Sequence, residues 1–153
     1  PCKTFNIAGF PIAAAIIPNE MLREDFKRNT KGIVAHIDNI AFVAAEAAYS
    51  AAQEWYLELL QYLKSNRNLL QERLNNIDGL SLKGPEAGFL AWIDCSESGL
   101  DNPANFFIEE AGVGVYDGAW FGDKNYVRLN FGCPKSVLEE ALNRIEKAFS
   151  QRN

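Results

Sequence analysis

Residues 112–132 read GVGVYDGAWFGDKNYVRLNFG, and this stretch decides how the chain folds. Its second half alternates: Val127, Leu129 and Phe131 fall on one side of an extended chain, and Tyr126, Arg128 and Asn130 on the other. That period predicts a half-buried strand. Gly112, Gly114, Gly118 and Gly122 precede it, where backbone must turn tightly or come close to another group. A glycine-rich loop leading into a strand that carries an arginine among polar companions can fold over a ligand, and a guanidinium fork suits bidentate capture of a carboxylate. An arginine on the open face of an edge strand is equally a common surface feature.

Working outward, turn signals at Gly84-Pro85, Asp117-Gly118 and Asp123-Lys124-Asn125 separate four strand candidates: LSLKG, GFLAWID, GVGVY and YVRLNFG. NPANFFIEEAG reads as a helix between the second and third. The last helix opens with a capping-box pattern, Ser136 with Glu139, and carries the apolar stripe Leu138, Ala141, Leu142, Ile145 and Phe149. Helices alternating with strands predict an α/β lobe over about residues 79–153.

Upstream, Tyr56, Leu59, Leu60, Leu63, Leu70 and Leu74 recur at helical spacing until Asp78 and Gly79, which predicts a long helix over about 51–78 able to link two lobes. Before it, IAFVAAEAAYSAA follows Asp38, a candidate cap, and is apolar on every side, so more than one neighbour is needed to bury it. Glu46 is the one charge inside that run, and it must find a donor or face an exposed gap. NEMLREDFKRNTKG predicts a short exposed helix capped by Asn19 and stopped by Gly32. IAAAII, residues 12–17, reads as a strand buried on both faces, yet no partner strand lies near it in the sequence.

With 153 residues, 48% of them hydrophobic and 23% charged, the chain can bury one core or two small ones. A net charge of -5 with no basic stripe argues against nucleic acid as a partner. Cys2, Cys95 and Cys133 are far apart and form no Cys-x-x-Cys pair, so neither a disulfide framework nor a metal site is expected, and a cytoplasmic setting fits. There is no apolar run of the ~18 residues a membrane helix needs. The absence of an initiator methionine is taken as the mark of a piece of a longer protein. His36, the single histidine, reads as structural, and Trp92 as packing. Trp120 and Phe121 are candidates for a lid, or for simple anchoring of the loop.

Lys3 is the remaining oddity. It sits in PCKTFNIAGF, ahead of an apolar run, and a lysine amine acts as a nucleophile only when desolvation or a nearby cation leaves it deprotonated. The alternative is a solvated lysine near a chain end.

Two stretches together resemble a known family. PCKTFNIAG is similar to the cofactor-lysine segment S-x-S-K-x-F-N-x-A-G of fold type I pyridoxal phosphate enzymes, specifically the MalY/PatB-type cystathionine β-lyases within the class I and II aminotransferase superfamily. Residues 112–131 resemble that family's C-terminal block. NIAFVAAEAAYSAAQEWYLELLQYLKSNR and GFLAWIDCS agree further, so the resemblance runs through essentially the whole chain in the family's order. Cys2 stands where the family often has Ser, and Asp123-Lys124-Asn125 replaces a usual glycine.

The resemblance implies an α/β fold: the C-terminal small domain of a fold type I enzyme (79–153), a long interdomain helix (51–78) and a remnant of the large cofactor-binding domain (1–50). It implies pyridoxal 5'-phosphate as cofactor, Lys3 as the catalytic, cofactor-binding Schiff-base lysine, Arg128 as the ligand of the substrate α-carboxylate, an amino-acid substrate and a homodimer. The activity it implies is carbon–sulfur β-elimination releasing thiol, pyruvate and ammonia. An aminotransferase would use the same two residues, and a noncatalytic interaction domain is the third reading. The aspartate, stacking aromatic and phosphate contacts of such a cofactor pocket belong to sequence upstream of Pro1.

Overall fold

The computed structural model describes residues 1–34 and 36–152. They divide into two units, Pro1–Leu59 and Leu60–Asn153, with one helix running through the division.

The first unit holds α1 (Glu20–Thr30), α2 (Asn39–Ala51) and the start of α3 (Gln53–Leu74). Asn19 caps α1 as its sequence predicts, accepting from the Leu22 amide at 3.0 Å. Asp38 occupies the N-cap position of α2 but its side chain makes no capping bond. Ala52 breaks the path between α2 and α3, so the two are separate helices. Residues 12–17 form no strand: an apolar run becomes one only where a neighbour supplies ladder partners, and none of the described residues does. Helix α2, whose all-round apolar character calls for more than one neighbour, is left largely uncovered within this unit. Only Ala41 and Ala48 are buried, while Ile40, Phe42, Val43 and Tyr49 are exposed, and Glu46 faces solvent with them.

The second unit is built on a three-stranded antiparallel sheet, β1 (Leu90–Asp94), β2 (Tyr116–Asp117) and β3 (Tyr126–Asn130), in the order β1-β3-β2. LSLKG contributes only a bridge between Ser81 and Asp94, and GVGVY pairs only from Tyr116. The expected helix at 102–112 is α4 (Pro103–Asn105), capped by Asn102, running into a π-helical turn over Phe106–Glu110. Helix α5 (Lys135–Ser150) closes the chain. Its capping box does not form, because Pro134 rather than Ser136 holds the N-cap position; instead Tyr62 on α3 accepts from the Lys135 amide at 2.6 Å.

One face of the sheet carries Ala91, Ile93, Val127 and Leu129, all buried, against Leu70 and Leu74 of α3, Phe107, and Leu138, Leu142 and Ile145 of α5. Each large side chain removed from water in this way contributes roughly 1.5–3 kcal/mol before entropy is charged against it. Arg73 and Glu146 pair bidentately at 2.6 and 2.5 Å, clamping α3 to α5. Among the described residues no helix is long and apolar enough to cross a membrane.

Candidate functional site

The opposite face of the sheet is where Arg128 stands. Strand alternation that buries Val127 and Leu129 must turn Arg128 the other way, and register places Trp92 directly across from it on β1 and Tyr116 on β2. The guanidinium carbon lies 4.5 Å from the Tyr116 ring centroid and 4.3 Å from that of Phe121. The cation is thus held between aromatic rings. Its Nε is buried with no hydrogen-bond partner, and no ion pair involves Arg128 among the described residues. A buried Nε–H without an acceptor is an incomplete arrangement, because that group has lost water and gained nothing polar in return.

The loop sequence delivers Phe121 to this place. Asp117 accepts from the Ala119 amide at 2.9 Å and starts a 3-10 turn over Gly118–Phe121. Gly122 ends it with φ of 102°, a left-handed conformation that suits glycine. Gly118 packs so closely that a Cβ there would lie 2.3 Å from the carbonyl oxygens of both Asp123 and Tyr126. Gly114, by contrast, faces open space.

More aromatics surround the arginine. Trp92 stacks on Tyr126 at 5.2 Å with the planes 9° apart and meets Phe121 in a T-shaped contact at 5.9 Å. Trp120 meets Tyr116 edge-on at 5.9 Å and is 72% exposed. The Tyr126 hydroxyl donates to Asp94 Oδ2 at 2.8 Å. Burial works to raise the Asp94 carboxyl, but bonds from Ser96 and from Tyr126 outweigh it and hold Asp94 below its ordinary value; the same bond to Asp94 raises Tyr126. Sequence reasoning picked out Arg128 and Phe121 and set Tyr126 on the face of Arg128, but assigned Trp92 to packing and passed over Tyr116. The missing information is cross-strand register, which alternation within one strand does not supply.

Lys3 belongs to the first unit. The turn around it is closed by bonds from the Phe5 amide to Pro1 O and from the Ile7 amide to Cys2 O, both 3.0 Å, with Asn6 at φ of 55°. Cys2 Sγ donates to Ile12 O at 3.3 Å, and the Phe5 ring packs against Tyr49, Trp55 and Tyr56. Lys3 itself is exposed and has no ion-pair partner among the described residues. The apolar residues that follow it do not enclose it within this unit. His36 is exposed as well, and the described residues contain no cluster of His, Cys, Asp and Glu able to hold a metal ion.

Comparison with known proteins extends these observations. The sequence profile of the family described as Aminotransferase class I and II matches residues 2–145. Cystathionine beta-lyase PatB of Bacillus subtilis is 32% identical, over 98% of this chain and 40% of its own length. The crystal structure of OvoB superposes with a TM-score of 0.93 at 47% identity, over 98% of this chain and 39% of that one. Cystalysin from Treponema denticola, whose crystal structure contains a pyridoxal 5'-phosphate cofactor, superposes with a TM-score of 0.89 at 27% identity, over all of this chain and 40% of that one. The chain therefore spans about 40% of the length of the relatives it matches.

Proposed function

This chain belongs to the class I and II aminotransferase family, and from that premise we propose that it forms the substrate-carboxylate and cofactor-lysine portion of a pyridoxal phosphate-dependent carbon–sulfur β-lyase of the cystathionine β-lyase kind. The single observation carrying the proposal is Arg128: a guanidinium flanked by two rings, with a buried, unpartnered Nε and no carboxylate paired with it among the described residues. Its terminal amino groups are free to take the α-carboxylate of an amino acid. Lys3 fits a carbonyl cofactor in the chemistry of its donor atom: an exposed primary amine, with no ion pair among the described residues competing for it.

Bound pyridoxal phosphate supplies an electron sink for the charge left at Cα when its proton departs. Arg128 would fix the substrate through its carboxylate and so set the orientation of its Cα–H bond. Lys3 Nζ would hold the cofactor and, as a free amine, take the Cα proton as general base. A β-thioether substrate would lose its thiol, and the remainder would take up one water to give pyruvate and ammonia. Transamination would call on the same two residues.

The exposed apolar side chains of α2 support association of the whole protein as a homodimer, measurable by light scattering. A cytoplasmic setting accords with three free cysteines. The deciding experiment supplies the whole protein with cystathionine, and separately with a 2-oxo acid and an amino-acid donor. Pyruvate and thiol from the first support the lyase; a new amino acid from the second alone makes it an aminotransferase. Neither product from cofactor-loaded protein returns the chain to a noncatalytic interaction domain.

A further inference from the structure

We propose that Trp92 is a positioning residue for carboxylate capture, acting through Phe121 on Arg128; this rests on the reading of Arg128 as the carboxylate ligand. An arginine side chain has many rotamers to lose on binding, so a fork that binds a carboxylate well is one already held in a single orientation. No ion pair among the described residues holds Arg128, and its Nε has no partner. The two rings that sandwich it are therefore its restraint. They are not equivalent. Tyr116 is fixed by strand pairing, whereas Phe121 sits at the end of a four-residue 3-10 turn outside the sheet.

What keeps the Phe121 ring over the cation is Trp92, whose indole meets it in a T-shaped contact with the planes 87° apart. Trp92 in turn is pinned flat against Tyr126, and Tyr126 is tethered through its hydroxyl to Asp94. The series runs Asp94, Tyr126, Trp92, Phe121, Arg128, each member touching the next. It starts and finishes on the open face of one sheet, whose register sets Asp94 opposite Tyr126 and Trp92 opposite Arg128.

The test uses the whole, cofactor-loaded protein and reads binding by calorimetry, with 2-aminoisobutyrate as a ligand that has a carboxylate but no Cα hydrogen, and isopropylamine as the same amine without the carboxylate. Trp92→Ala should weaken 2-aminoisobutyrate about tenfold and leave isopropylamine unchanged, while Trp92→Phe retains most of the affinity. With a turnover substrate the same loss should fall on KM, with kcat nearly constant. Phe121→Leu, on an exposed turn, should reproduce the effect and decides the matter should Trp92→Ala not fold. In an Arg128→Ala background, Trp92→Ala should add nothing.

Unchanged 2-aminoisobutyrate affinity, equal loss for both ligands, or an undiminished effect in the Arg128→Ala background would each overturn the role of Trp92. If Arg128→Ala itself leaves the preference for the acid over the amine intact, the carboxylate reading of Arg128 is what fails.

Discussion

Trp92 and Arg128 are direct cross-strand partners, so the indole and the guanidinium lie side by side on the one face of the sheet that the core does not use. The aromatic surroundings of Arg128 thus follow from strand pairing as much as from the loop that folds over it. Their effect is to hold the cation and bury its Nε while offering it no anion among the described residues, the arrangement on which the proposed capture of a carboxylate rests.

Arg128→Ala should reduce kcat/KM for α-amino acids by an amount equivalent to about 2–5 kcal/mol, chiefly through KM, because the substrate carboxylate would lose its proposed bidentate partner. Amines without a carboxylate should be indifferent. Arg128→Lys should recover little, since a point charge does not reproduce a planar fork stacked between rings. Steady-state kinetics on both substrate classes checks this.

Lys3→Ala should lower turnover by several orders of magnitude, since one nitrogen is proposed both to hold the cofactor and to move the Cα proton. Borohydride treatment of the loaded parent should leave a cofactor mass on the peptide containing Lys3, and the variant should carry none. Near-normal turnover by Lys3→Ala, or an adduct on another lysine, sinks the assignment.

How much of this was legible in the sequence depended on whether an element's partner was local. Helix α1, with Asn19 as its cap, and the alternation that turns Arg128 away from Val127 and Leu129 are decided within a few residues, and both stand. IAAAII had the composition of a buried strand but no neighbour to complete its ladder. Ser136 and Glu139 had capping-box spacing, yet the helix begins two residues earlier and takes its cap from Tyr62, 73 residues away. Trp92 reads as packing until register sets it beside Arg128. These misses share one cause: the deciding contact is distant in sequence.

Cys95 should make the second unit sensitive to alkali. Burial, with a smaller contribution from the Asp94 charge, pushes its thiol from 9.0 up to about 12. A raised folded value means the neutral thiol is favoured in the fold; its contribution is whole below about pH 9 and is lost as pH rises through about 12, amounting to about 4 kcal/mol over that window. Urea midpoints between pH 8 and 11 should fall, and Cys95→Ala should flatten the decline.

Asn66 is fully buried on α3, and its Nδ2 donates to Phe131 O at 3.1 Å and Cys133 O at 3.0 Å. It ties the long helix to the chain leaving β3. Asn66→Ala removes the amide that serves both carbonyls and leaves that of Phe131 buried without it, so the second unit should lose about 2–3 kcal/mol, seen as a lower urea midpoint at constant m. Arg128-dependent binding should survive wherever the unit stays folded, because the amide lies on the core side of the sheet's exit and not among the rings.

Gly118→Ala should separate the loop from the sheet it serves. A methyl group at Gly118 would lie 2.3 Å from the carbonyl oxygens of Asp123 and Tyr126, far inside contact distance, and both atoms are backbone, so neither can swing aside. The strain is relieved only by lifting the Gly118–Phe121 turn, which carries the Phe121 ring away from Arg128 and from Trp92. The α3, α5 and sheet core makes no use of that turn beyond Gly118 itself, so the second unit should still fold. The expected result is a modest fall in stability with a weakening of α-amino-acid binding comparable to Phe121→Leu, about tenfold. If Gly118→Ala binds α-amino acids as tightly as the parent while its stability falls, the turn is scaffolding for β3 and plays no part in holding the arginine.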